Sequence, residues 1–187
     1  MLSSTWYSML LVGSAAGVPL STQNLQETIV TGCAATPDSQ SSMGEAVVVN
    51  SCKFNVYVQS VAGTDIDSIV TLKPGDDYSE EYRTGPSGAG VAIKITENIA
   101  DWSAPMLLEY TPNSGLDMVF YDMSVSVGGN EQGTGGIGDV YELVPSLLDP
   151  AVGCVSVNYT DSYTHLGEDD AATKSCPLST TITLTLC

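Results

Sequence analysis

Residues Ala46–Ser60 read AVVVNSCKFNVYVQS. After Asn50 the apolar side chains fall on alternate positions, Cys52, Phe54, Val56 and Val58, and Lys53, Asn55, Tyr57 and Gln59 take the other parity. A period of two sends alternate side chains to opposite sides of an extended chain, so the stretch predicts a β-strand with one buried face. Cys52 lies on the buried parity, placed to bond to a distant strand. A second alternating run, TTITLTLC, ends at Cys187, and this is the partner the pattern nominates. A Cys52–Cys187 bridge would tie together the two ends of a folded domain.

Working outward, Ile69–Leu72 is a second apolar run that stops at Lys73-Pro74-Gly75-Asp76. Pro followed by Gly suits a type II turn, and Tyr78, Glu80 and Tyr82 resume alternation, which predicts a hairpin. Val91, Ile93 and Ile95 mark another half-buried strand. Met106–Tyr110 is a short strand, Pro112–Gly115 a turn, and Leu116–Val127 a long apolar run expected to be buried on both faces. Gly128–Gly138 is too rich in glycine to pack and reads as a linker. It lacks the Lys of a phosphate-cradling loop, and Asp139 would repel a phosphate. Val140–Val144 and Val155–Tyr159 are further short strands, Pro145–Asp149 a turn of helix, and Asp161–Ser175 an exposed acidic loop. Short strands separated by Gly/Pro turns predict an all-β, antiparallel β-sandwich.

The chain of 187 residues carries 22 acids against five bases, a net charge of −17. Nucleic acid and anionic membrane surfaces need a basic footprint that is absent, so both are excluded as partners. At 43 % hydrophobic the chain is folded rather than disordered. Met1–Ala16 has an apolar centre and ends in Ser14-Ala15-Ala16, a signal-peptide layout despite the missing basic residue, and it is too short to span a bilayer. Residues 17–44 show no sustained periodicity and read as a flexible leader or pro-segment. Residues 45–187 are then the folded, secreted domain, expected to be a monomer. Asn158-Tyr159-Thr160 is a glycosylation sequon consistent with export. Five cysteines in an oxidising compartment pair four and leave one. Cys33 is the odd one, and Cys154–Cys176 the second pair. With no CxxC and His165 as the only His, neither a metal nor another cofactor is expected.

Several segments resemble the thaumatin-like proteins. Val48-Val49-Asn50-Ser51-Cys52-Lys53-Phe54-Asn55-Val56-Tyr57 resembles their opening strand, and Leu72-Lys73-Pro74-Gly75-Asp76-Asp77-Tyr78 their first turn. Leu108-Glu109-Tyr110, a turn, and Phe120-Tyr121-Asp122-Met123-Ser124 resemble a central segment. Thr183-Leu184-Thr185-Leu186-Cys187 resembles the terminal strand, whose Cys bridges to the first-strand Cys. Few cysteines and a short chain resemble the fungal branch, the antigenic thaumatin-like or Bys1-domain secreted proteins.

In larger relatives an acidic cleft with an Arg and several carboxylates is linked to β-glucan binding, with weak glucanase activity in some. The resemblance carries Glu109 and Asp122 into that cleft. A further expected Asp is Val119 here, with Asp117 nearby, and the cleft Arg aligns with Ile95 or Lys94. The resemblance thus implies binding of cell-wall β-glucan or a host protein, with ligand candidates Glu109, Asp122, Asp117 and Lys94. The alternatives are a weak endo-β-1,3-glucanase using Glu109 and Asp122, or a surface antigen without a specific ligand. Two carboxylates can also be ordinary solvated acids. His165 stands without a nucleophile elbow, and Glu168-Asp169-Asp170 lacks the spacing of a calcium loop. Tyr57, Tyr78 and Tyr82 are candidates for stacking on sugar rings.

Overall fold

A computed structural model describes residues 43–124, 136–138, 141–158, 161 and 172–187. The expected signal peptide, most of the leader with Cys33, most of the glycine-rich linker, His165 and Glu168–Asp170 lie outside the described residues.

Two sheets pack face to face. The first has β10 (Val157–Asn158), β9 (Tyr141–Pro145), β12 (Ile182–Leu186), β1 (Glu45–Asn50) and β5 (Asp77–Glu81), in that order across the sheet. The second runs β11 (Lys174–Pro177), β8 (Met118–Ser124), β7 (Met106–Asn113), β6 (Val91–Thr96), β2 (Val56–Ala62) and β3 (Asp65–Ile66), with β4 (Val70–Leu72) also pairing with β2. The architecture is the expected all-β sandwich. All pairs are antiparallel except β1 with β12, which run parallel.

The opening stretch is two strands rather than one. Asn50 is fully buried, and its Nδ2 donates to the carbonyls of Phe54 and Leu72, both at 2.9 Å. Its Oδ1 accepts from the Cys52 amide at 3.0 Å. An asparagine side chain that satisfies backbone groups breaks the ladder. The chain therefore bends at Ser51–Asn55 and moves from the first sheet to the second. Cys52 stays buried, whereas Phe54 turns outward. Parallel pairing of β1 and β12, with Asn50 opposite Leu186, brings Cys52 and Cys187 together past the same strand ends. They are joined by a disulfide with Cα atoms 5.0 Å apart, and Cys154–Cys176 forms the second.

The Pro74-Gly75 turn forms, with Gly75 at φ 88° and the Asp76 amide on the Lys73 carbonyl. It does not close a hairpin. Its two arms join different sheets, because β4 pairs with β2 and β5 with β1. The run Leu116–Val127 is also corrected. Strand β8 begins at Met118 and alternates, burying Val119, Tyr121 and Met123 while Phe120 and Asp122 stay half-buried. Its outer side is the floor of a groove. The preceding turn falls at Asn113–Leu116, since Pro112 is still within β7. The helical turn lies at Pro150–Val152, capped by Asp149, rather than at Pro145–Asp149, because Pro145 ends β9.

Buried tyrosines anchor the core. Tyr82 and Tyr110 pack with ring centroids 5.1 Å apart, and each buried side chain of this size contributes about 1.5–3 kcal/mol. Their hydroxyls do not go unsatisfied: Tyr82 donates to the Thr180 carbonyl and Tyr121 to that of Val155, both at 2.6 Å.

Candidate functional site

The register of the second sheet builds one row across its outer face. Ile66 on β3 pairs with Val61 on β2, Val61 with Ala92 on β6, Ala92 with Glu109 on β7, and Glu109 with Asp122 on β8. Directly opposed residues on one face hold their Cβ atoms about 4.5–5.5 Å apart, so the two carboxyl groups stand side by side. Thr173, just before β11, extends the row and donates its Oγ1 to Asp122 Oδ2 at 3.3 Å. Ser124, itself buried, donates to Glu109 Oε2 at 2.5 Å.

Above this row is a groove of about 440 Å³, lined by Val61, Gly90, Ala92, Glu109, Thr111, Phe120, Asp122 and Thr173 among others. Small residues in β6 and just before it make its depth. A Cβ at Gly90 would collide with Thr111 Oγ1, so only glycine leaves the space open there. The groove has an apolar half over β2 and β6 and an acidic half over β7 and β8. Among the described residues, Phe120 is its one lining aromatic apart from the core tyrosines Tyr110 and Tyr121.

The remaining site candidates fall elsewhere. Lys94 is on the same face but in the next row, between Gln59 and Leu107, and no ion pair joins it to either carboxylate. Asp117 sits exposed in the β7–β8 turn at φ 54°, and its carbonyl accepts from the Leu178 amide. Of the tyrosines, Tyr82 is only 2 % exposed and cannot stack on a sugar. Tyr78 is committed through its hydroxyl to Glu80. Tyr57 remains half-exposed on β2. Asn158 is exposed at the end of β10. Among the described residues, no group of three or more His, Cys, Asp or Glu could hold a metal.

A second polar centre lies between the sheets, on β5, and was not anticipated from the sequence. Glu80 Oε1 accepts from Ser60 at 3.0 Å and from Tyr110 at 2.9 Å. Its Oε2 accepts from Tyr78 at 2.9 Å and from Arg83 at 3.3 Å. Arg83, the chain's only arginine, also donates to Ser60 and pairs with Asp67 at 2.9 Å. Burial and then the Glu80 carboxylate push the Tyr78 and Tyr110 hydroxyls well above the usual tyrosine range. Burial alone would lower the Arg83 pKa, but Glu80 and Asp67 outweigh it and raise it. The signal was present: Glu80 occupies the buried parity between Tyr78 and Tyr82, and a buried carboxylate demands partners.

Two packed sheets, a disulfide from the end of the chain to its first strand, and an outer groove with a carboxylate pair define a thaumatin-like β-sandwich. The chain belongs to the Bys1 family, described as Blastomyces yeast-phase-specific protein, whose profile matches residues 33–187. It is 34 % identical over 148 residues to an antigenic thaumatin-like protein of Arthroderma benhamiae, covering 78 % of this chain and 72 % of that one. It is 32 % identical over 153 residues to the secreted thaumatin-like protein calA of Emericella nidulans, covering 80 % and 85 %. Among solved structures, the protein elicitor MoHrip2 from Magnaporthe oryzae superposes with a TM-score of 0.57 at 26 % identity, over 77 % of this chain and 98 % of that one.

Proposed function

We propose that this protein is secreted and acts by binding, and that the outer groove takes a segment of a hydroxyl-rich cell-wall polysaccharide. β-Glucan is the polymer implied by the thaumatin-like resemblance. The observation carrying the reading is the Glu109–Asp122 pair in direct register on the floor of a groove of about 440 Å³. Ionised carboxylates only accept hydrogen bonds, which suits the donors of sugar hydroxyls, and Phe120 and Val61 offer apolar surface to the C–H face of a ring. Secretion is supported by the relative named as a secreted protein and by the leader-like N-terminal sequence.

Binding is favoured over hydrolysis by geometry. A glycosidase places its carboxylates on either side of the scissile bond, whereas Glu109 and Asp122 project from one sheet surface beneath any bound chain. A host protein as target is the second reading, favoured by the similarity to a protein elicitor. A pull-down on insoluble β-1,3-glucan tests the first. Wild-type protein is expected in the pellet and the Glu109→Gln/Asp122→Asn variant in the supernatant. Wild-type protein left in solution would remove the glucan reading. Sugar release that vanishes in Glu109→Gln would install hydrolysis in its place.

A further inference from the structure

We infer that one edge of the second sheet, residues 65–72, is a docking site for an extended strand of a partner protein that alternates apolar residues with Lys or Arg. The surface is separate from the groove, and the inference stands whether or not the groove holds a polysaccharide. An edge strand presents unpaired main-chain N–H and C=O groups, and folded proteins shield such edges with charge, proline, short strands or a covering segment. Among the described residues, three of the four sheet edges are shielded. β5 exposes Asp77 and Glu81, and β10 is two residues long. β11 ends at Pro177 and is tied to the Gly153 carbonyl through the Ser175 amide.

The fourth edge is different. Among the described residues, β3 and β4 pair with β2 alone. The segment reads DIDSIVTL, without proline or lysine, and Ile66, Ile69 and Val70 are 65, 41 and 37 % exposed. Residues 67–69 stand opposite only Gln59 and Ser60, so a bulge bends the edge between β3 and β4 without covering it. Ile66 lies opposite half-buried Val61 and Val70 opposite core Val58, which puts apolar side chains on both faces of the edge. The template is fixed in advance. The Asp67 amide donates to the Ser60 carbonyl and Gln59 Nε2 to the Asp67 carbonyl, both at 3.0 Å, and the Asp67 carboxylate pairs with Arg83. A strand added to such an edge gains main-chain hydrogen bonds at little ordering cost to the receiving side. Charge selects the occupant. The segment's charged residues are Asp65 and Asp67, both acidic, on a chain of net charge −17. A second copy would bring a like-charged edge against this one, whereas a strand carrying Lys or Arg supplies the opposite charge and covers the exposed aliphatics with its apolar residues.

The probe is a short end-capped peptide in which Val alternates with Lys and Thr, titrated by fluorescence anisotropy. It is compared with a version whose alternate amides are N-methylated and with a version carrying Glu for Lys. N-methylation keeps charge and side chains and removes main-chain donors. The parent peptide is expected to bind wild-type protein at least about tenfold tighter than either altered peptide, with hydrogen-exchange protection gained within residues 65–72. Ile66→Ser/Val70→Ser is expected to weaken the parent peptide by about tenfold. Leu147→Ser/Leu148→Ser, at an exposed apolar pair away from the edge, is expected to bind it like wild type. Equal binding of the parent and N-methylated peptides would reduce the effect to general charge attraction and overturn the inference. Absence of binding, or protection gained only outside residues 65–72, would overturn it as well. A wild-type dimer in sedimentation that Ile66→Ser/Val70→Ser dissolves would place a second copy on the edge instead and overturn it too.

Discussion

Glu80 and Glu109 sit on strands of the same sandwich and meet opposite fates. Glu80 has an 11 % exposed side chain, and four groups donate to it: Ser60, Tyr78, Tyr110 and Arg83. Glu109 receives one hydroxyl, from Ser124, faces Asp122, and opens onto a groove. Where the protein fills a carboxylate's acceptor capacity, the group locks two sheets together. Where acceptor capacity is left over on a concave surface, the group is available to a ligand. On the proposed reading, stability and recognition fall to different sheet faces.

That division can be broken experimentally, beginning on the stabilising side. Removing the bridge that spans 135 residues, by Cys52→Ser/Cys187→Ser, is expected to lower unfolding free energy by about 4 kcal/mol in urea titrations. Glu80→Ala takes away one of the two carboxylates paired with Arg83 and the acceptor of the Ser60, Tyr78 and Tyr110 hydroxyls, and an expected loss of about 3 kcal/mol follows, with glucan retention unchanged below the lowered melting temperature. If retention fell while the protein remained folded, the two centres would be coupled rather than separate.

A smaller effect concerns pH. The raised hydroxyl pKa values of Tyr78, Tyr82, Tyr110 and Tyr121 follow from burial first, with Glu80 adding to it at Tyr78 and Tyr110. In the unfolded chain these groups ionise near pH 10, before they do in the fold. Their contribution to stability is therefore complete below about pH 10 and is lost as pH rises toward the folded values. Urea midpoints should hold steady to about pH 9 and decline by about pH 11. Tyrosinate absorbance at the higher pH should lag behind that of the denatured protein.

Parity was the most legible feature of the fold. Val56 and Val58, Val91, Ile93 and Ile95, and Leu184 and Leu186 are buried as alternation requires. The strand-to-sheet assignment was not legible, because a type II turn reads the same whether its arms pair or part. Asn50 shows why: its effect depends on Leu72, 22 residues away, and no local pattern contains that contact. In the groove, the resemblance pointed to Glu109 and Asp122, and the Asn113–Met118 register then sets them opposite each other. Asp117 and Lys94 were near in sequence or alignment, yet turn geometry and a one-row offset keep them out of the lining. Phe120 is not legible as a groove residue from its motif, since its exposure on the groove side depends on which face of β8 is covered.

The most direct test is to measure unfolding free energy and polysaccharide retention on the same Glu109→Gln/Asp122→Asn protein. The expected result is a stability within about 1 kcal/mol of wild type, as for partly exposed polar substitutions, together with loss of retention on β-1,3-glucan. Retention at the wild-type level, or a stability loss as large as that of Glu80→Ala, would contradict the account.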